Sequence, residues 1–309
     1  MNILITGSTG FVGKNISSFL QGEIFNLYSL DKSPNNSTFF KKSFTWENFY
    51  ELESYSFDII IHLAGKAHDI KKSTKSDTYF KINYGLTKKI FDFFLKSKSN
   101  KFIFFSSIKA VLDKTNTELS EDNIPNPQSP YGLSKLKAEN YILEKISSDK
   151  FAFILRPCMI HGPGNKGNLN ILTNFIKLFK FWPLYNFDNE RSFCSIDNLC
   201  FVLQKLILNN SVKTSIFNIS DDEAISTNDL VQIIANSLNI KLNIYKFPKK
   251  IIYSIARIGD FLYLPLNTHK LEKLTESYVV SNKKIKSVLK INSLPVSSKD
   301  GIEKTLKSL

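Results

Sequence analysis

The sequence predicts an α/β fold: a doubly wound parallel sheet followed by a smaller C-terminal α/β lobe. Three observations carry this expectation. Short apolar runs alternate with helical patterns through the first half of the chain. One of them, DIIIHL at Asp58–Leu63, is nearly continuous in isoleucine, as expected of a strand covered on both faces. After about residue 157 the alternation loosens into a glycine-rich loop and short mixed elements.

Taken in order, Asn2–Thr6 reads as a strand and Phe11–Leu20 as a helix. Phe25–Leu30 is the next strand, with a weaker one near Phe39–Phe44, and then comes Asp58–Leu63. A long helix is predicted over Thr74–Ser97, a strand over Lys101–Ser106, a helix over Tyr131–Ile146 and a strand over Phe151–Arg156. Right-handed crossovers join such strands into one parallel sheet. Gly162, Pro163, Gly164 and Gly167 form the loop that follows, ahead of a helix at Asn168–Lys180 and a mixed segment at Trp182–Phe193. A later helix, Thr227–Leu238, is capped by Ser226 or Thr227. The expected division is 1–165 for the sheet domain, to which the chain returns around 193–220, and 166–309 mainly for the second lobe.

Composition narrows the class. The chain has 309 residues, 42% of them hydrophobic and 22% charged, an ordinary globular balance with length for a sizeable core. Its net charge of +13 comes from scattered lysines, with no dense basic tract, so no nucleic-acid partner is expected. The three cysteines, Cys158, Cys194 and Cys200, are odd in number and lack a CxxC, which suggests neither a disulfide framework nor a metal site and suits a cytoplasmic protein. The N-terminus opens directly into a strand rather than a signal peptide, and no apolar run reaches the roughly 18 residues of a membrane span. The stretch Ile251–Leu266 is broken by Arg257, Asp260 and Pro265 and reads as a helix of the second lobe.

Two motifs carry chemistry. The turn TGSTGFVGK places Gly7, Gly10 and Gly13 after the first strand, with Phe11 and Val12 opening the helix. Glycines there let backbone N–H groups approach a pyrophosphate, and the helix N-terminus favours an anion. Asp31, eighteen residues past Gly13, stands where a carboxylate accepts hydrogen bonds from an adenosine ribose. Alone it would be an ordinary turn aspartate; together with the strand and the glycines it points to a dinucleotide in a Rossmann-like domain. An acid there favours NAD over NADP, while the neighbouring Lys32 could tolerate a 2′-phosphate. In the second motif, PYGLSKLKAE, Tyr131 and Lys135 are spaced i, i+4 and share one helix face. An ammonium beside a phenol favours the phenolate, and bringing a tyrosine from pH 10 to neutrality takes roughly 4 kcal/mol. The preceding strand ends on Ser106 and Ser107, twenty-four residues before the tyrosine in the case of Ser107.

With these residues in place, the chain resembles the extended short-chain dehydrogenases/reductases, the NAD-dependent epimerase/dehydratase family acting on nucleotide-diphosphate sugars. TGSTGFVG, DIIIHLAG, KINYG, FFSSIKA, PYGLSK, LRPCMIHGPGNKGN and RSFCSIDNL carry the resemblance over roughly the first 200 residues, and VSNKKIKSVL extends it. The resemblance implies that Tyr131 is the acid/base, that Lys135 holds the nicotinamide ribose and depresses the tyrosine, and that Ser107 hydrogen-bonds the reacting oxygen. It implies that Leu63, Ala64 and Gly65 pass close to the cofactor and that Asn83 supports its site. Asn168 and Arg191 would face the substrate diphosphate, and a guanidinium fork suits phosphate oxygens. Arg156 reads as structural and His161 as a packing variant. A homodimer through Thr74–Ser97 and Tyr131–Ile146 is the family expectation.

Relatives that eliminate water or carbon dioxide carry carboxylates after the catalytic serine or threonine. Here Ile108 and Lys109 stand there. Two reactions remain that need only Ser, Tyr, Lys and nicotinamide. The reading adopted is a UDP-hexose or UDP-HexNAc 4-epimerase of bacterial surface-polysaccharide type. The alternative is a UDP-4-keto-6-deoxy-hexosamine 4-reductase using NAD(P)H; a 4,6-dehydratase and a non-enzymatic dinucleotide-binding regulator stand further off.

Overall fold

The structure is a computed structural model and describes residues 1–22, 24–67, 75–165, 168–262 and 267–309, with the side chain of Asn168 outside the described set. Seven parallel strands form the main sheet in the order β11-β6-β5-β4-β1-β2-β3. In chain order its first half runs β1 (Asn2–Thr6), α1 (Phe11–Leu20), β2 (Asn26–Asp31), β3 (Phe40–Thr45) and β4 (Ile59–His62). It continues through α2 (Ser76–Tyr79), a π-turn (Phe80–Tyr84), α3 (Gly85–Lys96), β5 (Lys101–Phe105), α4 (Pro130–Lys145) and β6 (Phe151–Pro157). The expected doubly wound Rossmann-like sheet is therefore present.

The isoleucine run explains itself by alternation. Ile59 and Ile61 point into one core with Ile3, Ile5, Ile103 and Phe153. Ile60 points the other way, with Leu4, Phe102, Phe104 and Ile154. Successive strand residues face opposite sides, so a sheet sandwiched by helices needs apolar residues at every position. The first core is closed by α1 and by α6, the second by α3 and α4.

The predicted helix over Thr74–Ser97 is not continuous: the π-turn widens it between α2 and α3, and Thr74 lies outside the described residues. Within the π-turn lies buried Asn83, whose side chain turns inward to bond elsewhere, as described below. Other boundaries move by one or two residues.

Beyond β6 the chain forms β7 (Met159–His161), α5 (Asn168–Phe179), β8 (Phe181–Trp182), β9 (Glu190–Arg191) and β10 (Phe193–Ser195). Helix α6 (Ile196–Leu208) and β11 (Ser215–Ile219) then return to the main sheet, where β11 pairs with β6. The tail comprises β12 (Ile225–Ser226), α7 (Thr227–Ser237), β13 (Asn243–Ile244), α8 (Lys249–Phe261), α9 (Thr268–Thr275), α10 (Lys283–Leu289) and α11 (Ser298–Leu306). Ser226 is the cap of α7, its side chain accepting from the Asp229 amide. A third apolar cluster, including Trp182, Phe187, Ile234, Ile252 and Ile302, is the core of this second lobe. Within the stretch Ile251–Leu266, residues through Phe261 extend α8 and residues 263–266 lie outside the described set.

The first turn has no room for a side chain where α1 crosses β1. A Cβ on Gly13 would sit 2.3 Å from the Gly7 carbonyl oxygen and 2.6 Å from Ser8 Cα, both backbone atoms that cannot yield. Gly13→Ala is therefore expected to destabilise by about 2 kcal/mol, in the range of overpacked cores, seen as a lower urea midpoint at unchanged slope.

Candidate active site

Strand order reverses between β1 and β4, and the crevice at the carboxyl ends of such strands is where α/β sheets bind ligands. Three turns meet there. The first follows β1. Gly7 has φ +76°, and a Cβ on it would lie 2.6 Å from the Ala64 nitrogen, so it is glycine for both conformation and space. Gly10 caps α1 without a side chain, and the first helical turn holds no acid, so among the described residues no side chain caps this helix start. Phe11 and Val12 turn their side chains against the core while their backbone opens this helix. Asp31, at the end of β2, is buried; its carboxylate accepts from Ser8 Oγ (2.5 Å), Thr9 N (3.2 Å) and Thr9 Oγ1 (3.0 Å). Lys32 beside it is exposed.

The second turn follows β4 through Leu63, Ala64 and Gly65. It is held by a buried relay that the sequence reading missed. The Ala64 amide donates to Thr6 Oγ1 (3.1 Å), and Thr6 meets His62 Nδ1 at 2.6 Å. His62 Nε2 meets Thr87 Oγ1 at 2.9 Å, and Thr87 donates to the Asn83 carbonyl (2.6 Å). Because Thr87 spends its proton on Asn83, His62 must donate from Nε2 and accept at Nδ1. Burial, with a smaller effect from Lys135, lowers the His62 pKa to about 3, so the ring stays neutral. The signal available in the sequence was a histidine ending an otherwise aliphatic strand. The Asn83 side chain accepts from the Lys66 amide (2.7 Å) and donates to the Lys66 carbonyl (3.2 Å) and Ser134 Oγ (3.0 Å). The π-turn thus aims one amide at both the second turn and α4.

The third turn follows β5. Ser106 donates to Glu139, which forms a buried ion pair with Arg156 (Nη2 to Oε2, 2.6 Å). Arg156 is structural, as expected, and Ser106 belongs to that buried group. Ser107 Oγ accepts from the Lys109 amide (3.2 Å) and is hydrogen-bonded to Tyr131. Asp113 accepts from the amides of Gln128 (2.7 Å) and Ser129 (2.9 Å), and Ser129 in turn caps α4 ahead of Pro130. That cap sets where Tyr131 begins its helix. One turn on, buried Lys135 donates to the Phe105 carbonyl (2.7 Å) and lies 3.4 Å from where a Gly65 Cβ would stand.

Burial pushes the Tyr131 phenol up, partly offset by its hydrogen bond to Ser107. Burial brings Lys135 down to about 8, against a smaller opposing pull from Glu139. Lys135 directs one N–H to the Phe105 carbonyl, and burial is the largest influence on the phenol.

Two further groups of residues stand beside the site. Ile108 is buried with Val111, Leu119 and Val280, and Lys109 donates to the Asp113 carbonyl (2.5 Å) beneath the Tyr278 ring. Arg191 donates from Nε to the Glu276 carbonyl (3.0 Å) and from Nη2 to the Lys273 carbonyl at the end of α9. Its fork is thus turned in this arrangement toward backbone carbonyls rather than left open for phosphate. It still lies near enough to Lys109 to lower that ammonium's pKa, an effect secondary to burial. Asn168 lies at the start of α5, its side chain outside the described residues, as are Lys166 and Gly167 of the KGN loop. His161 packs against Thr305 (2.9 Å) and Asp221 (3.5 Å).

The NAD-dependent epimerase/dehydratase family matches residues 3–220. The chain belongs to that family. It is therefore an enzyme of the NAD-dependent epimerase/dehydratase type. A UDP-glucose 4-epimerase of Vibrio cholerae is 30% identical over 251 residues, covering 77% of this chain and 76% of the relative. An N-acetyl-alpha-D-glucosaminyl-diphospho-ditrans,octacis-undecaprenol 4-epimerase of Escherichia coli O157:H7 is 26% identical over 295 residues, 92% of this chain and 84% of the relative. Among solved structures, a UDP-glucuronic acid 4-epimerase from Bacillus cereus in complex with NAD superposes with a TM-score of 0.76 at 19% identity, covering 100% of this chain and 98% of that one. No helix among the described residues is long and apolar enough to cross a membrane.

The lowered Lys135 fixes a sign. The folded protein resists charging this amine, so between about pH 8 and its ordinary 10.5 the unfolded chain holds more protons and stability rises with pH. The cost is fully present below pH 8. Lys135→Met is expected to remove that part of the rise: urea midpoints at pH 8 and pH 10 should differ less for the variant than for the parent protein.

Proposed function

We propose that the protein is a nucleotide-diphosphate-sugar 4-epimerase acting on a UDP-hexose or UDP-HexNAc. The observation that carries this reading is the pairing of Ser107 with Tyr131 at the end of β5, one helical turn from Lys135, with no carboxylate in the two positions after the serine. The residues fit NAD. The first turn has backbone packing that excludes side chains at Gly7 and Gly13, with an uncapped helix start for a pyrophosphate. Gly7, Gly10, Phe11, Val12 and Gly13 offer that cradle, Asp31 retains acceptor capacity for a ribose diol, and Leu63, Ala64 and Gly65 form the opposite wall. Asn83 holds that wall in place. NAD held there would supply the acceptor and donor of hydride for the sugar carbon.

The chain's own residues manage the proton. Tyr131 removes it from the C4 hydroxyl as the carbon is oxidised and gives it back on reduction. Ser107 donates to the same oxygen and holds it against the phenol. Lys135 has used one of its three N–H groups on Phe105; the other two would be available to the cofactor ribose and to the Tyr131 oxygen. Its charge is present below about pH 8. Elimination needs a further carboxylate to take a carbon-bound proton, and Ile108 and Lys109 do not supply one. Arg191 and Asn168 serve the diphosphate in this reading, Arg191 by releasing a carbonyl of α9.

Residues 1–165 with 193–220 would hold the cofactor and the rest of 166–309 mainly the sugar. Exposed Leu133 and Leu143 on α4 support a homodimer across α3 and α4, and the three free cysteines suit a cytoplasmic setting.

Incubating the purified protein with UDP-glucose or UDP-GlcNAc should yield the C4 epimer without net cofactor turnover. Stoichiometric oxidation of NADH or NADPH, seen only with a UDP-4-keto-6-deoxy-HexNAc, would instead establish the reductase. Tyr131→Phe should lower kcat about 10²- to 10⁴-fold while NAD binding, read by fluorescence, persists.

A further inference from the structure

The second lobe carries a face that catalysis does not use. Ile251, Ile255, Ile258 and Leu262 are each 45–56% exposed and recur at the spacing that puts them in one stripe along α8. The residues α8 does bury, Ile252, Ala256 and Gly259, lie on a neighbouring stripe, so the helix is apolar on two sides and only one is covered. A chain of ring contacts lies beside its start: Phe179 to Phe181 (6.1 Å), Phe181 to Tyr245 (6.1 Å) and Tyr245 to Phe247 (5.8 Å), with Phe179, Tyr245 and Phe247 exposed. Phe247 leads directly into Pro248, the cap of α8.

The charge around this face is predominantly positive. Residues 168–187 contain Lys177 and Lys180 and no acid. Residues 230–259 contain Lys241, Lys246, Lys249, Lys250 and Arg257 and no acid. Of the acids that bound these stretches, Asp229 accepts from Ser226 and Asp260, within α8, from the Thr268 amide, while Asp188 is exposed. All seven cations are exposed, and none meets a carboxylate among the described residues.

We propose that this face, formed by α8, the β13–α8 connection and the end of α5, docks the protein on an anionic lipid bilayer. Exposed aliphatics enter the acyl boundary, tyrosine and phenylalanine rings suit the headgroup level, and lysines meet anionic headgroups. A second copy is a poorer occupant, since a two-fold contact sets the same patch against itself and brings its excess of cations onto an equal excess. Nucleic acid satisfies the lysines but leaves the isoleucine stripe in water. The inference goes beyond the epimerase reading and does not require it.

The test is flotation of the full-length protein with phosphatidylcholine vesicles, with and without one quarter phosphatidylglycerol. The protein should float with the anionic vesicles and not the neutral ones, and 0.5 M NaCl should release most of it. Lys249→Glu with Lys250→Glu should cut the partition coefficient at least tenfold. Ile255→Ser with Ile258→Ser should cut it about tenfold while leaving the circular-dichroism spectrum and turnover of soluble UDP-sugar unchanged. Failure to float with either vesicle, or equal flotation with both, overturns the proposal. So does a shift in sedimentation coefficient produced by the isoleucine pair without loss of flotation, which would mark the face as a contact between copies. Flotation without epimerase turnover leaves the docking surface intact and removes only the catalytic reading.

Discussion

Everything at the site depends on how closely two turns approach. The peptide after β1 passes the peptide after β4 with no space for a methyl group at Gly7, whose missing Cβ would overlap the Ala64 nitrogen at 2.6 Å. That approach puts the first turn's backbone and the Ala64–Gly65 wall on either side of one crevice. It also brings the Thr6 hydroxyl under the Ala64 amide, where it serves as the first link of the relay through His62 and Thr87 to Asn83. A side chain at Gly7 would disturb the cradle and the relay together.

The relay is a neutral device in an apolar place. Each member both gives and receives, so no buried polar atom in it is left bare, and the imidazole has no reason to charge. Behind the third turn the solution is different. Glu139 and Arg156 are charged and buried, and they satisfy one another with Ser106. Such a pair contributes little net stability, but removing one member strands the other. The relay braces the turn after β4, and the ion pair braces Ser106 beside Ser107, whose hydroxyl meets Tyr131.

Much of this was legible in the sequence because it rests on local rules. The sheet could be read from strands apolar at every position, the first turn from three glycines after a strand, and Tyr131 with Lys135 from helical spacing. Arg156 could be read as structural from its place at the end of a core strand. What could not be read depends on where a side chain turns after the backbone is fixed. Asn83 was recognised as a site residue, but nothing in KINYG announces that its helix must widen to aim it. Arg191 was read as a contact to the substrate diphosphate, but nothing in RSFCSIDNL announces that its fork reaches carbonyls of Lys273 and Glu276, more than eighty residues away in the chain. The Tyr131 phenol is set by desolvation, which depends on packing from several elements at once and which i, i+4 spacing does not report.

The π-turn has an evolutionary corollary. It inserts one residue between α2 and α3 relative to a regular helix, and each residue of an α-helix advances the face by about 100°. Below the insertion, Thr87, Ile90, Phe91 and Phe94 face the core; above it, Tyr79 reaches the Tyr131 ring. Removing any single residue from Phe80–Tyr84 would restore a regular helix and turn one half out of phase with the other. Any descendant of this chain is therefore held both to the segment's length and to Asn83 within it: a one-residue deletion gives up either the floor of the sheet or the edge of the crevice, whatever stands at exposed Lys81.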